Sequence, residues 1–275
     1  MIHYIRIFNT ALPFLYIITF SLYAYDFFKG GEKFANSKRL SLFLTLVMHC
    51  SYLILRTVEF NHVPITNVFE IFTLLACTVS FSYFVLELLT DIRGTGLFIL
   101  FLSIVFQIIS TLFVQDLHEV KEVLRNNLLG LHVVSAMLGY SGIAISAVYG
   151  FLYYMLYNEI KSSNFGLMYE RLPNLEILER LSFVAAIIGY VLLTVAIIMG
   201  AWWLPQAFPN YSRFDPKLVI TTFIWIMYGA GIISNLLGKL QGKRAIIFTM
   251  IGFVLAMVSI AVSNFLADSF HSFYK

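Results

Sequence analysis

Long runs of apolar residues, separated by short polar stretches, dominate this chain. Eight runs can cross a lipid bilayer, since a hydrocarbon layer about 30 Å thick needs about 20 helical residues. They cover roughly residues 9–28, 40–58, 68–89, 95–114, 129–157, 181–203, 217–237 and 244–267. Because backbone polar groups in lipid must be satisfied internally, each run is predicted to be a helix. We therefore expect an all-α integral membrane protein, a bundle of eight transmembrane helices forming one polytopic domain over residues 1–275.

Composition and charge agree with this prediction. Apolar residues make up 60% of the chain and charged residues 12%, about half the charged share of a typical soluble domain. The net charge of +3 is too small and too scattered to indicate a nucleic-acid partner. The loops after the first, third, fifth and seventh runs carry most of the 18 lysines and arginines. Such loops usually face the cytoplasm, so both termini are predicted on the outer side of the cytoplasmic (inner) membrane.

The histidines are concentrated at one predicted face. His132 opens the fifth run, His271 follows the eighth, and only His49 falls mid-membrane. Taken alone, His132 is more typical of an interfacial histidine, and His271 of an ordinary tail residue. Together they are predicted at a similar depth, and two neutral imidazoles can be the axial ligands of one haem iron. The pair is therefore a candidate haem site.

An outer loop, residues 202–217, is rich in aromatic residues and contains three prolines. Its aromatic residues are Trp202, Trp203, Phe208, Tyr211 and Phe214. One interpretation is the aromatic belt that membrane proteins have at their interfaces. The other is a flat apolar surface for a porphyrin, stiffened by the prolines. Arg213 and Lys217 are candidates to pair with haem propionates, and Asp215 either bonds a histidine ring or caps the next helix.

Three further ionisable residues are weaker candidates. His62 and Glu70 lie around the start of the third run, where the carboxylate either stabilises the helix end or belongs to a functional site. His49 is more typical of a core histidine, with a second haem position in the membrane as the alternative. Residues 114–125 are predicted to form an amphipathic helix on the outer surface, with His118 on its solvated face.

Small residues indicate what holds the helices together. Glycines inside the fifth and sixth apolar runs are typical of close helix packing: Gly139, Gly142, Gly150, Gly189 and Gly200. Cys50 and Cys77 are predicted to be small buried hydrophobic residues. The chain has no CxxC or CxxCH motif, so it is neither an obvious thiol oxidoreductase nor itself a c-type cytochrome. Paired broken helices, expected of many transporters, are not evident.

Four stretches in this order resemble the CcsA/ResC-type cytochrome c assembly proteins of the system II pathway, including their shorter HemX-like members. NHVPITNVFEIF is similar to the GHFPLSNLYESL stretch of that family, and LHVVSAMLGYSGIAIS to its haem-ligand histidine and the following helix. The run ending in GAWW is similar to the approach to the family's tryptophan-rich loop, and NFLADSFHSF to its C-terminal ending. The resemblance covers roughly residues 50 to 275.

This resemblance implies an eight-helix bundle that handles haem b at the outer face as part of a cytochrome c synthase. His132 and His271 correspond to its two external haem ligands, and Trp203, Tyr211 and Asp215 to positions of its loop motif. The implied partners are haem, apocytochrome c with its CxxCH thiols, and a second membrane subunit with a large external domain.

The chain also departs from the family pattern. Phe208, Ser212 and Phe214 stand where the family has further tryptophans, and Ile233 stands where it often has a membrane-embedded histidine. These departures motivate an alternative to haem delivery: a HemX-like membrane regulator of tetrapyrrole biosynthesis enzyme levels without a catalytic haem site.

Overall fold

A computed structural model describes residues 2–30, 35–92, 94–116, 126–207, 212 and 214–261. Within these residues the chain is helical and contains no strand, as the apolar runs predict. The helices are α1 (Ile2–Lys29), α2 (Ala35–Phe60), α3 (Val68–Thr90), α4 (Gly96–Phe113), α5 (Asn127–Lys161), α6 (Leu167–Arg171), α7 (Leu175–Ala207), α8 (Pro216–Leu236) and α9 (Lys243–Ala261).

The chain is a multi-pass membrane protein. In the described part, α1 to α5, α7 and α8 are long and apolar enough to cross a membrane. The eighth predicted run, 244–267, extends past the end of α9 as described. The count of eight spans and the outer location of both termini therefore stay predictions.

Several helices extend beyond the apolar runs because their polar ends are also helical. The side-chain oxygen of Asn174 accepts the N–H of Ile177 at 2.9 Å and starts α7 ahead of the predicted run. α5 has 35 residues, a length of about 52 Å at 1.5 Å per residue. As expected from its sequence, α5 is longer than a bilayer requires.

By its internal packing the chain divides into two units. Unit 1 comprises Met1–Gly130 and Asn164–Pro173. In it, α1 packs against α2 and α4, and α3 packs against the same two helices. The four helices thus enclose a shared interior, which holds buried polar residues between a buried ion pair, Arg56–Glu70, and a partly buried one, Arg39–Glu87. Opposite charges are paired there because an isolated charge in a low-dielectric interior is costly.

Unit 2 comprises Leu131–Ser163 and Asn174–Lys275. In it, α8 packs against α7 and α9, and α7 also contacts α9. α5 and α7 cross at very short range: a Cβ atom added to Gly142 would lie 2.6 Å from the Cα of Gly189. Only glycine allows so close an approach, which confirms the predicted packing through small residues. One turn further along, Ser182 donates a hydrogen bond to the carbonyl oxygen of Ser146 at 2.8 Å.

Candidate functional site: His132 and the end of helix α7

The imidazole of His132 is held against the outer-predicted end of α7. Its Nδ1 lies 2.7 Å from the carbonyl oxygen of Ala196. Because a carbonyl can only accept, Nδ1 is the protonated nitrogen, and a neutral ring then carries its lone pair on Nε2. A histidine that donates one ring N–H to a backbone carbonyl is the usual arrangement of a metal ligand.

Gly200 makes room for this ring. A Cβ atom at position 200 would lie 2.8 Å from Cε1 and 3.1 Å from Nδ1 of His132. Ala196 and Gly200 are one helical turn apart on α7, so a carbonyl and a gap face the ring together. The close crossing of α5 and α7 at Gly139, Gly142 and Gly189 fixes the register that brings His132 to this position.

The aromatic segment that follows Gly200 is only partly a loop. α7 continues through Trp202 and Trp203 to Ala207, so the prediction of a loop from residue 202 is wrong for residues 202–207. Pro205 lies inside the last turns of the helix, where its missing N–H removes a single backbone hydrogen bond. Burial of Trp203 and Leu204, 8% and 7% exposed, offsets that loss.

The aromatic side chains of the segment have different environments. Trp203 is buried, whereas Trp202 is 73% exposed and Phe214 is 86% exposed. Two large aromatic rings are thus presented outward at the end of α7 and just before α8. Exposed aromatic rings suit either an aromatic belt at the membrane interface or contact with a flat apolar ligand.

Asp215 lies at the start of α8. Its backbone carbonyl accepts the N–H of Val219 at 3.1 Å, and Pro216 occupies the first position of the helix. The residue therefore takes the N-cap position, in agreement with one of the two interpretations of its sequence. Its own N–H donates to the carbonyl oxygen of Ser212 at 3.1 Å, and the side chain is buried.

Several predicted site residues lie outside the described part of the chain. They are His271, Phe208, Tyr211 and Arg213, together with most of the predicted amphipathic helix 114–125. The convergence of His132 and His271 on one iron consequently stays a prediction. The described residues contain no group of three or more metal-binding side chains.

Glu70, in unit 1, forms part of a buried polar cluster. One carboxylate oxygen accepts a hydrogen bond from Arg56 at 2.7 Å, and the other accepts from the backbone N–H and the hydroxyl of Thr66, both at 2.7 Å. Arg56 also donates to Asp116 at 2.8 Å. Asn67 caps α3 by accepting the N–H groups of Phe69 and Glu70. The contacts of the Glu70 carboxylate thus join α2, α3 and the segment between them.

His62 lies in that same segment and is buried. Its Nδ1 is 2.9 Å from the carbonyl oxygen of Val63, and its ring packs near the ring of Phe60. Asn61, just before it, has a positive φ of 54° that starts the turn out of α2.

His49 is fully buried inside unit 1 with both ring nitrogens hydrogen-bonded. Nδ1 lies 2.9 Å from the hydroxyl of Tyr16, and Nε2 lies 2.9 Å from the hydroxyl of Thr73. Thr73 in turn donates to the side-chain carbonyl of Gln107 at 2.8 Å. Since the Thr73 proton is used there, its oxygen accepts from Nε2–H, and Tyr16 donates to Nδ1. In this arrangement the ring connects four helices, and binding iron would require breaking one of these bonds.

Two groups of contributing residues are not evident from the sequence as site residues. Ala196 and Gly200 belong to a stripe of small residues on α7, which indicates close packing but not which ring it accommodates. Arg56 contributes to the charge bias of the loops, although an arginine two residues before the end of a predicted span also signals a buried partner. That partner, Glu70, is identified only by the antiparallel packing of α2 and α3.

Comparison with known proteins agrees with the family resemblance of the sequence. Residues 65–271 match the family model described as "Cytochrome C assembly protein". Similar proteins include three that are named cytochrome c biogenesis protein CcsA. The protein of Guillardia theta is 27% identical over 237 residues, which cover 79% of each chain. That of Mesostigma viride is 25% identical and covers 87% of this chain and 88% of its own. That of Prochlorococcus marinus (strain MIT 9515) is 25% identical and covers 85% of this chain and 81% of its own.

Proposed function

The chain belongs to the cytochrome c assembly protein family and acts in cytochrome c biogenesis, and from this premise we propose that it presents haem b at the outer membrane face for attachment to apocytochrome c. His132 and His271 are the two axial ligands in this proposal. Haem is the cargo, received in the membrane and passed on to the apocytochrome.

The observation that carries the proposal is the setting of His132. Its Nδ1 donates to the Ala196 carbonyl at 2.7 Å, so the ring presents Nε2 as the nitrogen with a lone pair. The same bond fixes the ring plane and increases the basicity of the ligating nitrogen. An ordinary interfacial histidine needs neither a backbone acceptor nor the gap provided by Gly200 on the neighbouring helix.

The end of α7 supplies the surface against which a porphyrin rests. Trp202 and Phe214 expose their rings, while Trp203 is buried and anchors the last turns of the helix. Stacking of such rings on a macrocycle is favourable because both are flat and apolar. We assign the propionates to Arg213 and the neighbouring aromatic contacts to Phe208 and Tyr211.

The residues of this chain hold and orient the cargo and exclude competing ligands. When bound, haem supplies the vinyl groups that form thioether bonds with the apocytochrome thiols. Two imidazoles occupy both axial positions and so restrict reaction of the iron with oxygen. Release requires one imidazole to give way to the histidine of the CxxCH motif. A moderate affinity is therefore expected at one of the two positions.

Location and partners follow from the same role. Attachment to apocytochrome c takes place outside the cytoplasm, so we place the protein in the cytoplasmic (inner) membrane with the end of α7 facing outward. From the resemblance to system II proteins, we propose a second membrane subunit with a large external domain as the apocytochrome-binding partner.

A haem spectrum of the purified protein tests the proposal. Wild-type protein is expected to show the absorbance bands of bis-histidine haem, and His132→Ala and His271→Ala each to lose them. His3→Ala is the matched control, because His3 is an exposed histidine near the N-terminus. A wild-type protein without haem absorbance, together with normal cytochrome c maturation in cells carrying both alanine variants, would refute the proposal.

One observation favours the regulator alternative. Ile233, at the position of the family's membrane-embedded histidine, is 59% exposed and offers no nitrogen ligand. If the protein only sets the level of tetrapyrrole biosynthesis enzymes, its deletion changes haem precursor levels and leaves thioether formation intact. Loss of covalent cytochrome c haem at unchanged precursor levels excludes this alternative.

A further inference from the structure

The two cysteines of the chain lie at the same level on neighbouring helices of unit 1. α2 and α3 are antiparallel, and three side-chain contacts fix their register: Arg56–Glu70 at 2.7 Å, His49–Thr73 at 2.9 Å and Arg39–Glu87 at 3.0 Å. Cys50 directly follows His49, and Cys77 lies one turn after Thr73. The register that joins the two helices therefore also brings the two thiols together.

The two thiols are close enough to interact. Each side chain lies within interaction range of the other, as the register of α2 and α3 requires. Cys77 is buried, at 6% exposure, whereas Cys50 is exposed, so the prediction that both cysteines are buried is wrong for Cys50. On α2 the exposed side chains flanking Cys50 are Val47 and Ile54, one turn away on either side. Cys50 is thus accessible from the apolar exterior of the helix bundle, whereas Cys77 is not.

We propose that Cys50 and Cys77 form a reversible disulfide between α2 and α3, with a lipid-soluble quinone as the oxidant. In this reaction two S–H bonds break and one S–S bond forms. The two electrons and two protons reduce the quinone to its hydroquinone. A quinone fits the site because Cys50 opens onto apolar surface inside a membrane-spanning helix, where water-soluble oxidants are scarce. Reduction by a dithiol restores the two thiols through a mixed disulfide.

The disulfide joins α2 and α3 next to the His49–Thr73 hydrogen bond, which is part of the interior of unit 1. His49 and Thr73, close neighbours of the pair, link α2 to the hydrogen-bonded side chains of α1 and α4. A Cys50–Cys77 disulfide links α2 and α3 covalently at this level. After its reduction, only the hydrogen bonds hold the two helices together there. The thiol pair is therefore a site through which the redox state of the membrane acts on unit 1. It shares no residue with the proposed haem site at His132.

Thiol counting on the full-length protein in lipid nanodiscs tests the proposal. The reduced protein is treated with decylubiquinone, whose fully substituted ring cannot alkylate thiols, and is then denatured and labelled with a maleimide-linked polymer. Two labels are expected before oxidation, none after it, and two again after treatment with dithiothreitol. The intact mass of the oxidised protein should fall by two hydrogen atoms. The two cysteines are the only ones in the chain, so the count is unambiguous.

The variants Cys50→Ser and Cys77→Ser are the matched controls. Each should keep its single label after quinone treatment and should run as a monomer without reductant, because the bond is within one chain. Wild-type protein that retains two labels after oxidation overturns the proposal. So does loss of label accompanied by a disulfide-linked dimer, which would assign the bond to two copies of Cys50.

Discussion

Substituting Gly200 by alanine should reduce haem binding while leaving the fold intact. The new Cβ atom would lie 2.8 Å from Cε1 of His132, whereas carbon atoms pack best about 3.5–4.0 Å apart. The ring must therefore move away from α7 by about 1 Å. Its hydrogen bond to Ala196, now 2.7 Å long, is then stretched beyond bonding range.

The expected decrease in haem affinity follows from the loss of the hydrogen bond between the His132 ring and Ala196. Disturbing the hydrogen-bond partner of a ligating histidine typically lowers metal affinity about 10–100-fold, which is about 1.4–2.8 kcal/mol of binding free energy. The free energy of unfolding should change little. Loss of one hydrogen bond costs about 1 kcal/mol, and replacing glycine by alanine within a helix regains about 1 kcal/mol.

The measurement is a haem titration of purified protein in nanodiscs, followed by absorbance, with thermal unfolding recorded on the same samples. Gly150→Ala is the control, since its Cβ atom would come no closer than 3.3 Å to a neighbouring side chain. We expect Gly200→Ala to bind haem about 10–100-fold more weakly at a nearly unchanged unfolding temperature, and Gly150→Ala to resemble wild type. Equal haem affinity for all three proteins would show that the His132 ring at α7 has no part in iron binding.

Three further substitutions test the structure elsewhere. Glu70→Gln leaves the buried guanidinium of Arg56 without its main counter-charge, so it should destabilise unit 1 by about 3–5 kcal/mol; an unfolding temperature equal to that of wild type would contradict this. His49→Phe removes partners from two buried hydroxyl groups and should cost about 1–3 kcal/mol for each without changing haem affinity. Loss of haem at full stability would instead identify His49 as a ligand within the membrane. Gly142→Val forces α5 away from Gly189 and should lower stability by about 1–3 kcal/mol, as measured by thermal unfolding; a variant as stable as wild type would show that the helices do not need this close approach.

Much of the architecture could be predicted from the order of apolar and polar residues. In a bilayer an apolar run of about 20 residues forms a helix, so the presence and approximate position of each helix follow from local sequence. Helix ends were less predictable, because Asn174 and Trp203 extend α7 through a cap and through side-chain burial. A hydropathy pattern indicates neither a capping side chain nor the tertiary burial of a tryptophan.

The sequence by itself determined that this is a helical membrane protein of the cytochrome c assembly family, with His132 at the start of a long helix. Those properties depend on residues that are close together in the chain. Only the tertiary structure decided that His132 meets Ala196 and Gly200, that Arg56 meets Glu70, and that Cys50 meets Cys77. Each of these contacts depends on the register between two helices. That register is set by the summed packing of many side chains, which no single stretch of sequence encodes.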